Sequence, residues 1–227
     1  MLKRLLTIFP LFLITGSLHA QQTIGLLQNS PGNLEGYILF TPNTSDTTYL
    51  IDKCGYRIHT WPSSHSPALS VYLMDDGSIL RPGKTNNPTF NGGGQGGIIE
   101  RIDWNGNVVW SYTISSTTEC QHHDIFPMAN GNILVIAYDL KTPADLVGAG
   151  RDTTHIGTSL WSEKILELQP VGSSGANIVW QWNLWDHIVQ SYNTGAPNYG
   201  IPSQHPDRKS TRLNSSHIPL SRMPSSA

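Results

Sequence analysis

Ile99-Glu100-Arg101-Ile102-Asp103-Trp104-Asn105-Gly106-Asn107-Val108-Val109-Trp110 reads as an apolar strand, a turn, and a second strand ending in tryptophan. Asn-Gly between two apolar runs is a two-residue hairpin signal, because both residues tolerate positive φ. An earlier copy runs Tyr49-Leu50-Ile51-Asp52-Lys53-Cys54-Gly55-Tyr56-Arg57-Ile58-His59-Thr60-Trp61. A later one is Ile165-Leu166-Glu167-Leu168, a Gly-Ser-Ser-Gly turn, then Asn177-Ile178-Val179-Trp180. A second hairpin motif sits between the copies, as Tyr72-Leu73-Met74-Asp75-Asp76-Gly77-Ser78-Ile79-Leu80 and again as Phe126-Pro127-Met128-Ala129-Asn130-Gly131-Asn132-Ile133-Leu134-Val135.

The offsets decide the fold class. Gly55 and Gly106 are 51 residues apart, and Gly77 and Gly131 are 54 apart. Two interleaved hairpins repeating at nearly one period suit a four-stranded propeller blade. A β-sandwich also has regular hairpins, but paired offsets favour the propeller. The expected fold is therefore an all-β, partial β-propeller of about three blades, where a full ring needs ~4–8. The third copy comes late, since Gly106 and Gly175 are 69 residues apart. The extra length, residues 141–163, reads as a loop insertion with a short helix around residues 144–147.

Composition agrees. The 227 residues are 13% charged, about half of the ~25% usual in soluble domains, while Gly, Pro and Trp number 21, 15 and 7. Few charges and many turn formers suit short strands joined tightly.

The two ends do not read as fold. Lys3 and Arg4 precede an apolar run to Ile14, and Gly16-Ser17-Leu18-His19-Ala20 leads to Gln21. Residues 1–20 thus read as a secretory signal peptide, which implies export to the periplasm or beyond. Its apolar run is shorter than the ~18 residues a span needs, and no later stretch is long and apolar enough. At the other end, residues 207–227 lose the apolar alternation. Asp207 to His217 matches the translation of a common short-read sequencing adapter, and Ser221 to Ala227 matches its next constant segment. Residues 207–227 are therefore read as an adapter-derived tail, with 21–206 as the partial propeller. Without leader and tail, eight basic residues face 15 acidic ones, a net charge near −7 rather than −2. Nucleic-acid binding, which needs basic patches, is not expected.

Chemistry-bearing residues are few. Gly92-Gly93-Gly94-Gln95-Gly96-Gly97 contains G-x-G-x-x-G, but a strand hairpin follows where a nucleotide site needs a helix. It reads instead as a flexible connection between blades. Gln121-His122-His123-Asp124 is the most chemical stretch. Adjacent strand residues point to opposite faces, so the two histidines need not share a ligand. Three readings stand: a packed, hydrogen-bonded histidine between blades, a metal ligand, or a histidine facing the propeller axis to meet an anion. No second His/Cys/Asp cluster has ligand spacing, so no metal or other cofactor is expected. His187, in Trp185-Asp186-His187, could line the same face, or sit in a capped loop or short helix. Arg81, Lys84 and Arg151 are isolated basic residues that read as solvated. Cys54 and Cys120 could pair in an oxidising compartment, and the sequence leaves that open.

At these residues the chain resembles the N-terminal part of the secreted bacterial aryl-sulfate sulfotransferases. Residues 37–61, 93–110 and 165–200 carry the resemblance, with His122-His123-Asp124 and Asn130-Gly131-Asn132-Ile133-Leu134 its most specific stretch. The resemblance implies a six-bladed propeller with an axial site. It further implies transfer of a sulfuryl group from a phenolic sulfate ester to a phenol acceptor, through a histidine intermediate and without a nucleotide donor. His123, with His122 beside it, takes the place of a sulfate-binding motif, while Asp124, His187 and Arg151 are candidates for supporting or axial roles. The family's nucleophilic histidine lies in a later blade and has no match here. The other reading is a secreted, non-catalytic propeller that binds a ligand or partner; a quinone-dependent propeller would need axial metal ligands that the sequence does not display.

Overall fold

The computed structural model describes residues 30, 32, 35–152, 154, 159–207 and 209–210. The leader, residues 1–20, and residues 211–227 of the tail lie outside the described residues. The protein is mostly β. Strands β1 (Tyr37–Phe40), β2 (Thr47–Asp52) and β3 (Arg57–Pro62) form a first antiparallel sheet in chain order. Strands β4 (Tyr72–Leu73), β5 (Ile79–Lys84), β6 (Gly97–Ile102) and β7 (Val108–Thr113) form a second. A third comprises β8 (Glu119–Pro127), β9 (Ile133–Lys141), β10 (Leu160–Val171) and β11 (Gly175–Asn183). A short parallel pair joins β12 (Ile188–Val189) to β13 (Lys209–Ser210), the latter within the stretch read as adapter-derived. Among the described residues the sheets do not close into a ring.

Four hairpin turns share one design. In the first sheet the Asp52 amide donates to the Tyr56 carbonyl and the Gly55 amide to the Asp52 carbonyl, both at 3.0 Å. The same two bonds recur at Asp103/Asn107/Gly106, Met74/Ser78/Gly77 and Met128/Asn132/Gly131. Each glycine has φ between 78° and 87°, which a side chain would strain. The two-residue Asn-Gly hairpin expected at 105–106 is instead a three-residue loop. Only Gly106 of that pair has positive φ, and the Asp103 carboxylate accepts the Asn107 amide at 2.8 Å. An Asx-anchored turn with a left-handed glycine replaces the type I′ turn.

That turn leaves a bulge, and the bulges align the sheets residue by residue. Register shifts after Leu50 in the β2–β3 pair, after Arg101 in β6–β7, and after Glu167 in β10–β11. His59, Trp110 and Trp180 are therefore equivalent, as are Trp61, Tyr112 and Trp182. The leading hairpins align too, because Leu73 pairs with Ile79 as Pro127 pairs with Ile133.

Consecutive sheets pack face to face. Leu50 and Trp61 of the first sheet bury against Ile79 and Ile102 of the second. Leu80, Ile99, Trp110 and Ile114 then meet Ile125, Ile133, Val135, Leu166 and Leu168 of the third. The Trp110 indole N–H also donates to the Gly175 carbonyl at 2.9 Å. Stacking sheets in this way buries the apolar face that each meander could not bury alone.

The insertion carries the expected short helix but is shorter than expected, because residues 160–163 belong to a strand. β9 ends at Lys141, β10 starts at Leu160, and a helix, α1 (Pro143–Gly148), lies between. Thr142 caps it, accepting from the Asp145 amide while the Asp145 carboxylate accepts the Thr142 amide, a reciprocal capping box. Arg81 departs from expectation. It is fully buried, not solvated, and its guanidinium donates to the carbonyls of Asp46 (3.1 Å) and His65 (2.8 Å). Burial lowers its pKa from the ordinary value, with Glu100 opposing. The Glu100 carboxylate lies across the β5–β6 ladder from it and holds His65 Nδ1 at 3.1 Å. A buried cation is tolerated here because carbonyl oxygens and a carboxylate surround it.

Candidate functional site

The site grows from an irregularity in β8. Gln121 pairs with Ala137 and Ile125 with Val135, so His122, His123 and Asp124 face a single residue, Ile136. His123 takes up the slack with φ +54°, a conformation uncommon for a side-chain-bearing residue. The bulge breaks the alternation expected for adjacent strand residues. Both imidazoles therefore meet, with the two Nδ1 atoms 2.8 Å apart.

A loop from the second sheet holds this corner. The glycine-rich segment 92–97 joins β5 to β6 within one sheet, not one sheet to the next. The His123 amide donates to the Gly94 carbonyl at 2.7 Å, and the Gly96 amide to the Gln121 carbonyl at 3.0 Å. The Gly97 amide donates to Gln121 Oε1 at 3.1 Å. Gly94 is needed twice over: its φ is +74°, and a Cβ there would sit 2.4 Å from the His123 ring. The loop is thus a fitted wall of the corner.

The two histidines have unlike surroundings. His122 is 3% exposed, and its ring stacks on Tyr138 with centroids 3.7 Å apart. Tyr138 in turn stacks with Phe90 and leans on Trp161. Burial, and then the neighbouring His123, push the His122 pKa down to about 3. It is a neutral imidazole at neutral pH, and its Nε2 is buried without a partner. His123 is half-buried. The Nδ1–Nδ1 contact requires one proton between two nitrogens. Whenever His122 supplies it, or His123 is cationic, His123 Nε2 carries a proton that can be donated to an anion.

Asp124 is exposed, and one of its oxygens accepts from the Tyr72 hydroxyl at 3.0 Å and from the Ile125 amide at 2.8 Å. Burial and then Asp124 push the Tyr72 pKa up to about 12, so the phenol stays protonated. This bond ties the first strands of the second and third sheets together.

His122, His123 and Asp124 are brought together; other candidates lie elsewhere. His187 closes a 3₁₀ turn, Leu184–His187, and stacks on Trp182 of β11, across the third sheet from β8. Arg151 follows α1, half-buried, its amide donating to the Leu146 carbonyl. Lys84 ends β5, half-buried. Cys54 and Cys120 are both free thiols, one exposed in the β2–β3 turn and the other buried in β8. Among the described residues no group of three His, Cys, Asp or Glu side chains could hold a metal ion. A cleft of about 520 Å³ between the second and third sheets is lined by Met74, Asp76, Arg101, Trp110, Met128 and Asn132 among others, and does not include the histidine corner.

Sequence reasoning missed Gly94, Tyr72, Tyr138 and Leu69. The signal for Leu69 and Tyr72 was the 54-residue offset itself, which carries His123 onto Leu69 and Phe126 onto Tyr72. Leu69 has φ +77° and is the counterpart of His123: it lies in a bulge of the second sheet, where residues 68–71, between the Pro67–Gly83 bridge and the Tyr72–Leu80 pair, face only Arg81 and Pro82.

Compared with known proteins, the chain matches no family model and no curated protein sequence.

Proposed function

We propose that the three sheets are consecutive blades of a six-bladed propeller, that β4 and β8 face its axis, and that the corner at His122–His123 binds the sulfate group of an aryl sulfate ester. In this reading the whole protein is an exported sulfotransferase. It moves a sulfuryl group from a phenolic ester to a phenol without a nucleotide donor. The ester S–O bond breaks as a neutral histidine nitrogen bonds to sulfur, and the first phenol leaves as phenoxide and takes up a proton from solvent. The acceptor phenol then gives its proton to solvent as its oxygen bonds to sulfur and the sulfur–histidine bond breaks. None of the histidines described above is assigned as that nucleophile. His123 holds sulfate oxygens, His122 keeps its ring in place, and Asp124 and Tyr72 fix the strand that carries both.

The observation that supports this most is the unequal pair. A neutral, buried His122 backs His123, and when the His122 Nδ1–H is the donor between them, His123 Nε2 carries a proton to offer an anion. Preorganised donors aimed at a charge-spread group are what sulfuryl transfer needs, by analogy with phosphoryl transfer. The test is transfer of sulfate from 4-nitrophenyl sulfate to phenol by a chain extended through the downstream gene sequence. Transfer abolished by His123→Ala supports the proposal, and an extended, folded chain without transfer sinks it. The exposed Trp104 and Trp180 favour the second reading, a non-catalytic binding propeller. That reading predicts no further axial His or Arg downstream.

A further inference from the structure

We infer that Leu69 lines the same ligand site as His123 and selects for the aryl part of the ligand, an inference that rests on the propeller reading above for the shared site and on the sulfate reading for the ligand. Leu73 and Pro127 occupy equal register positions in their sheets. Counting back four residues along the chain reaches Leu69, just ahead of β4, and His123, within β8. Both have left-handed backbone, at φ +77° and +54°, and with Asn86 they are the only side-chain-bearing residues that do so among the described residues. One structural device therefore presents two different side chains from adjacent sheets.

The two first strands touch through Tyr72. Tyr72 and Phe126, three residues beyond each bulge, meet edge to face at 6.0 Å, and the Tyr72 hydroxyl reaches Asp124. In the propeller reading above, equivalent positions on the innermost strands of neighbouring blades face the same axial space. Leu69 is 53% exposed, although a leucine in left-handed backbone is costly and gains little from exposure. Its neighbour Ala68, the counterpart of His122, is fully buried. The second sheet thus offers an apolar branch where the third offers an imidazole. A ligand with an anionic head on an aromatic body suits the pair.

Three probes separate the halves: inorganic sulfate, 4-nitrophenol and 4-nitrophenyl sulfate, each titrated into the full chain by NMR or calorimetry. Leu69→Ala and Leu69→Gly should each weaken both aromatic probes about tenfold, the loss expected for a few missing methyl or methylene contacts, with sulfate affinity unchanged. Glycine relieves the backbone strain and alanine does not, so a loss in only one variant would indicate a backbone effect and overturn the inference. Equal loss for sulfate, or no loss for the aromatic probes, overturns it too. His123→Ala should weaken the two sulfate-bearing probes and spare 4-nitrophenol. If His123→Ala leaves sulfate binding intact, the sulfate reading fails while the Leu69 result stands. A wild-type chain that binds no aromatic probe ends the inference. Thermal melts within a few degrees of wild type verify that each variant folds.

Discussion

Trp110 and Trp180 occupy one repeat position in two successive sheets, and they are 5% and 48% exposed. The strands that carry them share the same bulge and the same neighbours, Val-Val before one and Ile-Val before the other. What differs is the next layer. Trp110 is roofed by the third sheet, whose Gly175 carbonyl accepts its N–H. Trp180 has no following sheet among the described residues. Burial in this repeat is thus a property of the neighbouring sheet, not of the strand. The comparison breaks if both tryptophans prove equally important. Trp110→Ala should cost about 3–5 kcal/mol, the usual range for an aromatic lost from a core. Trp180→Ala should cost about 1 kcal/mol or less in the same urea titration.

The two bulges give a second comparison. The second sheet fills its bulge with Ala68 and Leu69, the third with His122 and His123. A buried imidazole makes stability depend on acid where an alanine does not. Folded His122 titrates near 3, against an ordinary value of 6.5. Below 6.5 the unfolded chain takes up the proton first. The stabilisation is complete above that pH and is lost progressively as pH falls towards 3. At ~1.4 kcal/mol per pH unit, up to about 4 kcal/mol disappears over that interval. His122→Ala copies the second sheet and should flatten this part of a pH–stability profile measured by urea unfolding. An unchanged slope would mean that His122 is not held neutral by burial.

The repeat was legible in the sequence because hairpin turns carry their own chemistry. Asp52-x-x-Gly55 and Asp103-x-x-Gly106 announce themselves through side chains that bind local backbone. The short helix in the insertion was legible for the same reason, through Thr142-Pro143 and Asp145. Contacts between sheets were not. Nothing near Arg81 in the chain shows that the carbonyls of Asp46 and His65, 35 and 16 residues away, will surround it. The meeting of His122 with His123 was hidden too, because strand alternation predicts the opposite and only the bulge reverses it. Their wall, Gly94, comes from another sheet and looked like a linker.

Gly94 tests that wall against its neighbour. A Cβ at Gly94 meets the His123 ring, whereas one at Gly93 meets nothing within 4 Å, and Gly93 lacks the positive φ. Gly94→Ala should cost about 1–3 kcal/mol, from left-handed strain and a displaced ring, and should shift the His123 NMR resonances. Gly93→Ala should stay within about 0.5 kcal/mol of wild type in a thermal melt. Similar losses at both positions would make the loop a general packing element, not a support for His123.

The smallest effect comes from a position whose polarity is reversed between sheets. Arg101 and Glu167 are equivalent by their bulges. Arg101 donates to Asp76 at 2.7 Å and to the Ser78 hydroxyl at 3.0 Å, whereas Glu167 accepts from Asn132 at 2.5 Å and Asn130 at 3.4 Å. The turn residues match in turn, with Asp76 standing for Asn130 and Ser78 for Asn132. Ser78 first, then Arg101, hold the Asp76 carboxyl below its ordinary pKa. Because Arg101 and Asp76 are both substantially exposed, removing their attraction by Arg101→Gln should cost at most about 1 kcal/mol, less at high salt. Replacing Arg101 by Glu, Asp76 by Asn and Ser78 by Asn transplants the third sheet's arrangement into the second. If the two sheets truly share one framework, the triple variant should recover wild-type stability to within about 0.5 kcal/mol, whereas Arg101→Glu alone, facing Asp76, should fall below Arg101→Gln.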